Sequence, residues 1–273
     1  MLLDCGEGTQ HRLQHFNLKA QRLEAIFISH LHGDHYLGLI GLLSSLHLQG
    51  RTKDLLLFGP PQLSEIITMQ LRHSDTTFRY KVHFHPLIMD KPQLIFENKH
   101  LTVSTLPLQH RIACVGYIFK EKAYPRRIKK TKLPEGISIN EINSLKNSND
   151  VLDSKGNIKY SFSALTLKAR RSRSYAYCTD TLYLPELADT LKGIDLLYHE
   201  ATFLTEKELK ATNTYHATAG QAAQLAKDAG VSKLLIGHFS ARYKDLQPFE
   251  IEARRIFKNS YLAIEGHTFT IKN

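Results

Sequence analysis

Ala25-Ile26-Phe27-Ile28-Ser29-His30-Leu31-His32-Gly33-Asp34-His35 runs from four apolar residues into three imidazoles and a carboxylate. An apolar run this short reads as a buried strand. The polar groups therefore fall where a rigid strand hands over to a loop, the usual place for chemistry in such folds. Imidazole nitrogen and carboxylate oxygen are the common ligands of catalytic zinc. A lone buried histidine is most often structural. Three of them with an aspartate, and a glycine to permit a tight turn, point to metal instead. The spacing divides the ligands: His30 and His32 can face one ion, while Asp34 and His35 reach a second.

The same pattern recurs along the chain. Leu101 to Leu108 leads to Gln109-His110, Tyr175 to Cys178 leads to Thr179-Asp180, Leu196 to Tyr198 leads to His199-Glu200, and Leu234 to Gly237 leads to His238. His110 would complete the first ion's set and His238 the second's. Asp180, with two oxygens, could bridge them. Between these runs lie helical patterns at His35 to Leu48, Pro61 to Arg72, Thr218 to Ala229 and Phe249 to Lys258. Thr218 can cap its helix and Gly230 can stop it. Strands alternating with helices give an α/β class. The whole chain reads as one domain.

One segment breaks the alternation. From about 120 to 163 the chain is basic and then rich in Asn, Ser and Asp, and it reads as an arm inserted into the domain. Arg126, Arg127, Lys129, Lys130 and Lys132 form a cationic footprint there, with Lys168, Arg170, Arg171 and Arg173 at its return. The formal net charge of +10 fits a phosphate-bearing partner. The three cysteines, with no close pair, argue against a disulfide framework and suit a reducing, cytoplasmic setting. The longest apolar stretch, Leu37 to Leu46, is too short to span a bilayer, and no secretory leader pattern is visible. Leu2-Leu3-Asp4-Cys5-Gly6 reads like a strand end running into a loop, which implies an element upstream of it.

The His-x-His-x-Asp-His signature resembles the metallo-β-lactamase superfamily. The blocks around it are more specific. Asp4 to Gln10 (DCGEGTQ), Ser29 to Leu39 (SHLHGDHYLGL), Asp180-Thr181, His199 to Phe203 (HEATF), His216 to Thr218 (HAT) and Gly237 to Tyr243 (GHFSARY) resemble the ribonuclease Z family, in the same order. The resemblance implies an αββα sandwich, two zinc ions per chain, precursor tRNA as substrate, and a homodimer in which one subunit's arm holds tRNA for the other. Members of that family usually begin with a further β-hairpin, and their arm often carries a Gly-Pro-rich motif. Here the arm has Pro134-Glu135-Gly136 but no Gly-Pro run.

The implied reaction is phosphodiester hydrolysis, giving a tRNA 3′-hydroxyl and a trailer with a 5′-phosphate. Two metal ions can acidify a shared water and clamp the scissile phosphate. Asp34 would bind metal and orient the attacking hydroxide. The ribose 3′-oxygen leaves poorly without a proton, and His216, oriented by Glu200, is the candidate donor. Two rivals use the same residues: a hydrolase of small phosphodiesters or esters, and an RNA-binding homologue with impaired catalysis.

Overall fold

The computed structural model describes residues 1–272. Its smaller sheet is parallel throughout and runs in the order β1 (Leu2–Leu3), β2 (Ala25–Phe27), β3 (Leu55–Gly59), β4 (Val82–Pro86). β1 stands at the edge of this sheet. It pairs with the motif strand itself, Leu2 opposite Ile26 and Leu3 opposite Phe27.

Alternation along β2 explains the layering. Ala25 and Phe27 face inward between the two sheets, with Phe27 stacked on Phe58, and pack against Val103, Val115 and Tyr117. Ile26 and Ile28 face outward, against Leu39, Leu42, Leu43 and Leu46. Because successive strand side chains point to opposite faces, a run apolar at every position must be covered on both sides. The outer cover consists of α1 (Thr9–His15), α2 (Gly33–Tyr36), α3 (Leu39–Leu48) and α4 (Leu63–His73). The single helix expected from His35 to Leu48 is broken at Leu37-Gly38. A Cβ on Gly38 would sit 1.9 Å from the Gly6 carbonyl oxygen, so the early loop lies backbone-on-backbone against this break. Cys5 N donates to His35 O at 2.7 Å and Gly38 N to Cys5 O at 3.0 Å, which pins that contact.

The larger sheet adds β5 (Leu94–Glu97), β6 (Leu101–Leu108) and β7 (Cys114–Glu121), an antiparallel meander. Within the excursion that follows lie β8 (Arg127–Ile128), α5 (Ile139–Lys146), β9 (Val151–Leu152), β10 (Ile158–Tyr160), α6 (Phe162–Leu165) and β11 (Thr166–Leu167). Its strands pair only with one another, β8 with β11 and β9 with β10. The chain re-enters the sheet at β12 (Ser174–Cys178), antiparallel to β7. It continues through α7 (Leu187–Thr190), β13 (Leu196–Glu200), α8 (Glu208–Asn213), α9 (Ala219–Asp228), β14 (Leu234–Gly237), α10 (Gln247–Ile256) and β15 (Ser260–Leu262), with β12 to β15 all parallel. The helices α7, α9 and α10 cover the outer face, burying Leu191, Ala222, Leu225, Ala226, Phe249 and Ala253 against Ala176, Leu197 and Ile236. The layers therefore run helix, sheet, sheet, helix.

Thr218 caps α9 in a full capping box with Gln221, satisfying backbone donors that the first turn leaves free. Gly230 follows in the left-handed region, the conformation in which helices commonly end. The excursion starts and ends on one ion pair. Arg173 donates from its backbone N and its Nε to Glu121 Oε2, 2.9 Å each, across adjacent antiparallel strands.

Candidate metal centre

The seven candidate ligands lie at strand ends or, for Asp34 and His35, on the short helix α2 just beyond β2, and the two sheets bring them to one cleft. His30, His32, Asp34 and His35 follow β2. His110 follows β6, Asp180 follows β12 and His238 follows β14. One group comprises His30, His32, His110 and Asp180, and another comprises Asp34, His35 and His238. Within each group the donor atoms lie within 4.8 Å of one another. His32 Nδ1 is 3.1 Å from both His30 Nε2 and His110 Nε2. Asp180 divides its oxygens. Oδ2 lies 3.8 Å from His30 Nε2 and 3.7 Å from His110 Nε2, while Oδ1 lies 3.3 Å from His35 Nε2 and 3.2 Å from His238 Nε2. Asp34 Oδ2 is 3.6 Å from His35 Nε2 and 3.5 Å from His238 Nε2.

The chemistry of this donor set fits cations. His35 Nε2 is buried without a hydrogen-bond partner while aimed at two carboxylates. A buried polar atom left bare is costly, and metal ligation is one of the few arrangements that satisfies it. Burial alone would pull the His35 imidazole down, yet Asp180, Asp34 and Asp4 together push its pKa up to about 12. The imidazoles of His238 and His35, close beside it, hold the Asp34 carboxyl well below the usual carboxylate range. At Asp180 burial works to raise the pKa, but the neighbouring imidazoles, His35 first, outweigh it and lower the value. Among the described residues, the ion-pair partners of Asp34 and Asp180 are imidazoles only, so no Lys or Arg supplies the missing positive charge. His30 is pulled down to about 3 by burial, which leaves it neutral with a lone pair to offer.

Hydrogen bonds fix the ring orientations. His110 Nδ1 meets the Tyr215 carbonyl at 2.8 Å, and His238 Nδ1 meets Thr202 Oγ1 at 3.0 Å. Asp4 contacts Ser29 and His35. Asp4 and Thr202 fall inside the DCGEGTQ and HEATF blocks, but the sequence assigns no role to either, or to Tyr215. The backbone carries one signal. Asp4, Tyr215 and His238 all have positive φ, in the left-handed region. That conformation costs a non-glycine residue about 1–2 kcal/mol, and strain of this kind gathers at functional sites.

Beside the ligands stands the expected acid–base pair. Glu200, fully buried at the end of β13, places Oε1 2.8 Å from His216 Nδ1. It is itself held by Thr181 N at 2.9 Å and Thr202 Oγ1 at 2.7 Å. His216 also comes within 4.8 Å of Asp180 and His238, so position alone would let its Nε2 ligate; what sets it apart is that its Nδ1 partner is the buried carboxylate of Glu200. The cleft has a volume of about 310 Å³. Arg111, Lys210 and Arg242 line it together with His32, Asp34 and His216.

Across 272 residues the chain is 47% identical to the ribonuclease Z of Cytophaga hutchinsonii, covering all of this chain and 87% of that one. The chain belongs to the ribonuclease Z family. It is 44% identical to the ribonuclease Z of Bacteroides thetaiotaomicron, over all of this chain and 86% of the relative. The family described as "Anti-Pycsar protein Apyc1" also matches, over residues 1–256, so the chain falls within that grouping as well. Among solved structures, the short form of human tRNase Z superposes with a TM-score of 0.70 at 24% identity, covering 99% of this chain and 88% of that one. The metallo-β-lactamase fold protein YhfI of Bacillus subtilis superposes with a TM-score of 0.64 at 19% identity, covering 97% and 85%. The fold of this ribonuclease Z family member is thus the metallo-β-lactamase sandwich that its signature implies.

The arm cations of this ribonuclease Z relative divide in a way the sequence does not reveal. Arg126 is turned inward: its Nε donates to Thr166 Oγ1 at 2.6 Å and its guanidinium lies 5.0 Å from the Phe162 ring centre. Lys129 Nζ donates to the Ala164 carbonyl at 2.8 Å. Arg126, Arg127 and Lys130 line a groove with Lys146 and Arg170, of about 620 Å³. At the return, Arg171 pairs with Asp195 and Arg173 with Glu121.

Proposed function

We propose that this chain is a zinc-dependent endoribonuclease that removes the 3′ trailer from precursor tRNA, leaving a tRNA 3′-hydroxyl and a trailer 5′-phosphate. The observation that carries the reading is identity of 38–47% over essentially the whole chain to proteins named ribonuclease Z, in a chain whose seven candidate donors meet in one cleft. His30, His32, His110 and Asp180 would hold one ion, and Asp34, His35, His238 and Asp180 the other. Bound there, two zinc ions supply positive charge for the scissile phosphate and make water acidic enough to act near neutral pH.

The protein's own groups do the rest. Asp34 shares Oδ2 with its two imidazole neighbours, and its side chain is 66% exposed toward the cleft, in position to orient the attacking water. Glu200 holds His216 by Nδ1, so the imidazole presents Nε2 to the departing ribose 3′-oxygen and gives it a proton. Arg111, Lys210 and Arg242 attract the backbone phosphates on either side. The outward-facing arm cations would track the tRNA body, and their contribution weakens with salt. A homodimer in the cytoplasm accords with the family resemblance. Among the described residues no helix is long and apolar enough to cross a membrane.

The test is incubation of the metal-loaded protein with a 3′-extended tRNA, with both product ends mapped. Cleavage after the discriminator region with a 3′-hydroxyl on the tRNA is the expected result. Hydrolysis of a small phosphodiester with the tRNA left intact would favour the small-substrate rival.

A further inference from the structure

The segment between β13 and α9 brings three groups to the cleft. Lys210 on α8 lines it, the Tyr215 carbonyl meets His110 Nδ1 at 2.8 Å, and His216 meets Glu200. Both ends of that segment are tied to one side chain outside it, Glu252 on α10. Glu252 Oε1 accepts from Thr205 N at 3.1 Å, from Thr205 Oγ1 at 2.8 Å and from Gly220 N at 2.9 Å, and Oε2 accepts from Thr205 N at 3.1 Å. Thr205 opens the 3-10 turn Thr205–Lys207 that leads into α8, and Gly220 lies in the first turn of α9. First-turn N–H groups have no partner inside their own helix, and a carboxylate is a favourable acceptor for them. Among the described residues no Lys or Arg pairs with Glu252, so its charge is set against these donors. Gly220 permits the closure, since a Cβ there would stand 2.6 Å from Thr205 Oγ1.

From Thr205 the restraint reaches His216 by a short path. His216 N donates to the Ala211 carbonyl of α8 at 2.9 Å, and Ala211 is fully buried. From Gly220 it runs back through the cap residue Thr218, which bridges to Phe203. Glu200 holds the same imidazole independently, from the end of β13. We infer that Glu252 is a positioning residue for proton delivery: it closes the base of segment 205–219 and so sets His216 against the departing ribose oxygen. Glu252 itself is not among the residues that line the cleft.

The inference rests on the reading of His216 as the leaving-group acid, and one series of measurements separates the two. The turnover number kcat is measured on a 3′-extended tRNA and on bis(4-nitrophenyl) phosphate. The proteins compared are the zinc-loaded native chain, Glu252→Ala, Glu252→Gln, His216→Ala and the double variant of Glu252→Ala with His216→Ala. Zinc content and melting point are recorded for each. Glu252→Ala is expected to keep the native zinc content, because none of the seven proposed ligands lies in the segment. It should lower kcat on tRNA by about 10–100-fold, the cost of a misplaced group, and leave nitrophenyl hydrolysis nearly unchanged. Glu252→Gln keeps one acceptor oxygen but puts NH2 in place of the other. It should show a smaller loss of the same kind, and it carries the comparison if the alanine variant does not fold. Added to His216→Ala, Glu252→Ala should cost nothing more on tRNA, because residues that act through one another are not additive. If His216→Ala slows both substrates equally, the acid reading falls. Suppose instead that His216→Ala spares the nitrophenyl ester. Glu252 variants that then keep the native tRNA rate, slow both substrates alike, or add their full loss to that of His216→Ala overturn the positioning role of Glu252 and leave the acid in place.

Discussion

His216 offers a direct test of role against position. Its Nδ1 is taken by Glu200, its ring stands 5.1 Å from that of His110 and 5.5 Å from that of His238, and it is the one imidazole of the cleft that the two-ion arrangement leaves unassigned. His216→Ala is expected to keep both metals and to slow tRNA cleavage by roughly 10²–10⁴-fold, the range for a lost general acid. On a nitrophenyl phosphodiester, whose leaving group departs without a proton, the loss should shrink strongly. Equal losses on both substrates with two metals retained would remove His216 as the acid. His32→Ala, by contrast, should damage both reactions and lower metal content. At this scale the candidate ligands were legible because four of them fall within six residues and the rest follow apolar runs. Asp4, Thr202 and Tyr215 were not, for a physical reason. A single Asp or Thr is chemically ordinary, and a carbonyl carries no residue signature at all. Only the fold brings Tyr177 across 173 positions to Asp4.

At the scale of elements, two features make opposite demands. The early loop is packed without tolerance, and Gly38→Ala would force a Cβ onto the Gly6 carbonyl. Backbone has to move, so a loss of about 1–3 kcal/mol in unfolding free energy is expected. Zinc retention should fall with it, because Asp34 and His35 sit on the turn that shifts. A denaturant titration with a parallel zinc assay checks both, and a variant as stable as the native protein would show that the loop has more slack than its contacts suggest. The excursion between β7 and β12 is the reverse case. Glu121 and Arg173 already close its base. Replacing the residues between them with a short Gly/Ser turn should leave nitrophenyl phosphodiester hydrolysis within a few-fold of native, while kcat/KM on tRNA collapses. Equal loss of both activities in a folded deletion protein would refute a separate binding arm. Elements with a clear apolar signal, β6 and β14 among them, were readable to the residue. β7 was not, since Gly116 interrupts its run. That glycine is there because a Cβ would stand 2.4 Å from the Tyr177 carbonyl oxygen of the next strand. The inward turn of Arg126 and Lys129 was hidden as well, because a charge run looks the same whether its members face solvent or their own backbone.

For the molecule as a whole, the candidate ligands come from both sheets, so metal bound there would be linked to folding. Zinc that binds only the folded chain stabilises it in proportion to RT ln(1 + [L]/Kd), about 2.7 kcal/mol at roughly a hundredfold excess over Kd. Chelation should therefore lower the melting point reversibly, and an unchanged melting point in a protein shown to have lost its zinc would rule out ligation across the two sheets. The net charge of +10 acts over a longer range. Raising salt from about 50 to about 200 mM should weaken tRNA binding steeply while leaving nitrophenyl phosphodiester turnover nearly flat. The division of ligands has one more consequence, and it concerns the order in which the chain is made. Synthesis delivers His30 to His35 early, His110 and Asp180 later, and His238 only after most of the 273 residues exist. A nascent chain still on the ribosome holds half a centre and half a sandwich. An enzyme whose substrates are RNA is thus born beside the cell's largest RNA machine unable to cut, and it becomes competent only when the second sheet has closed over the first.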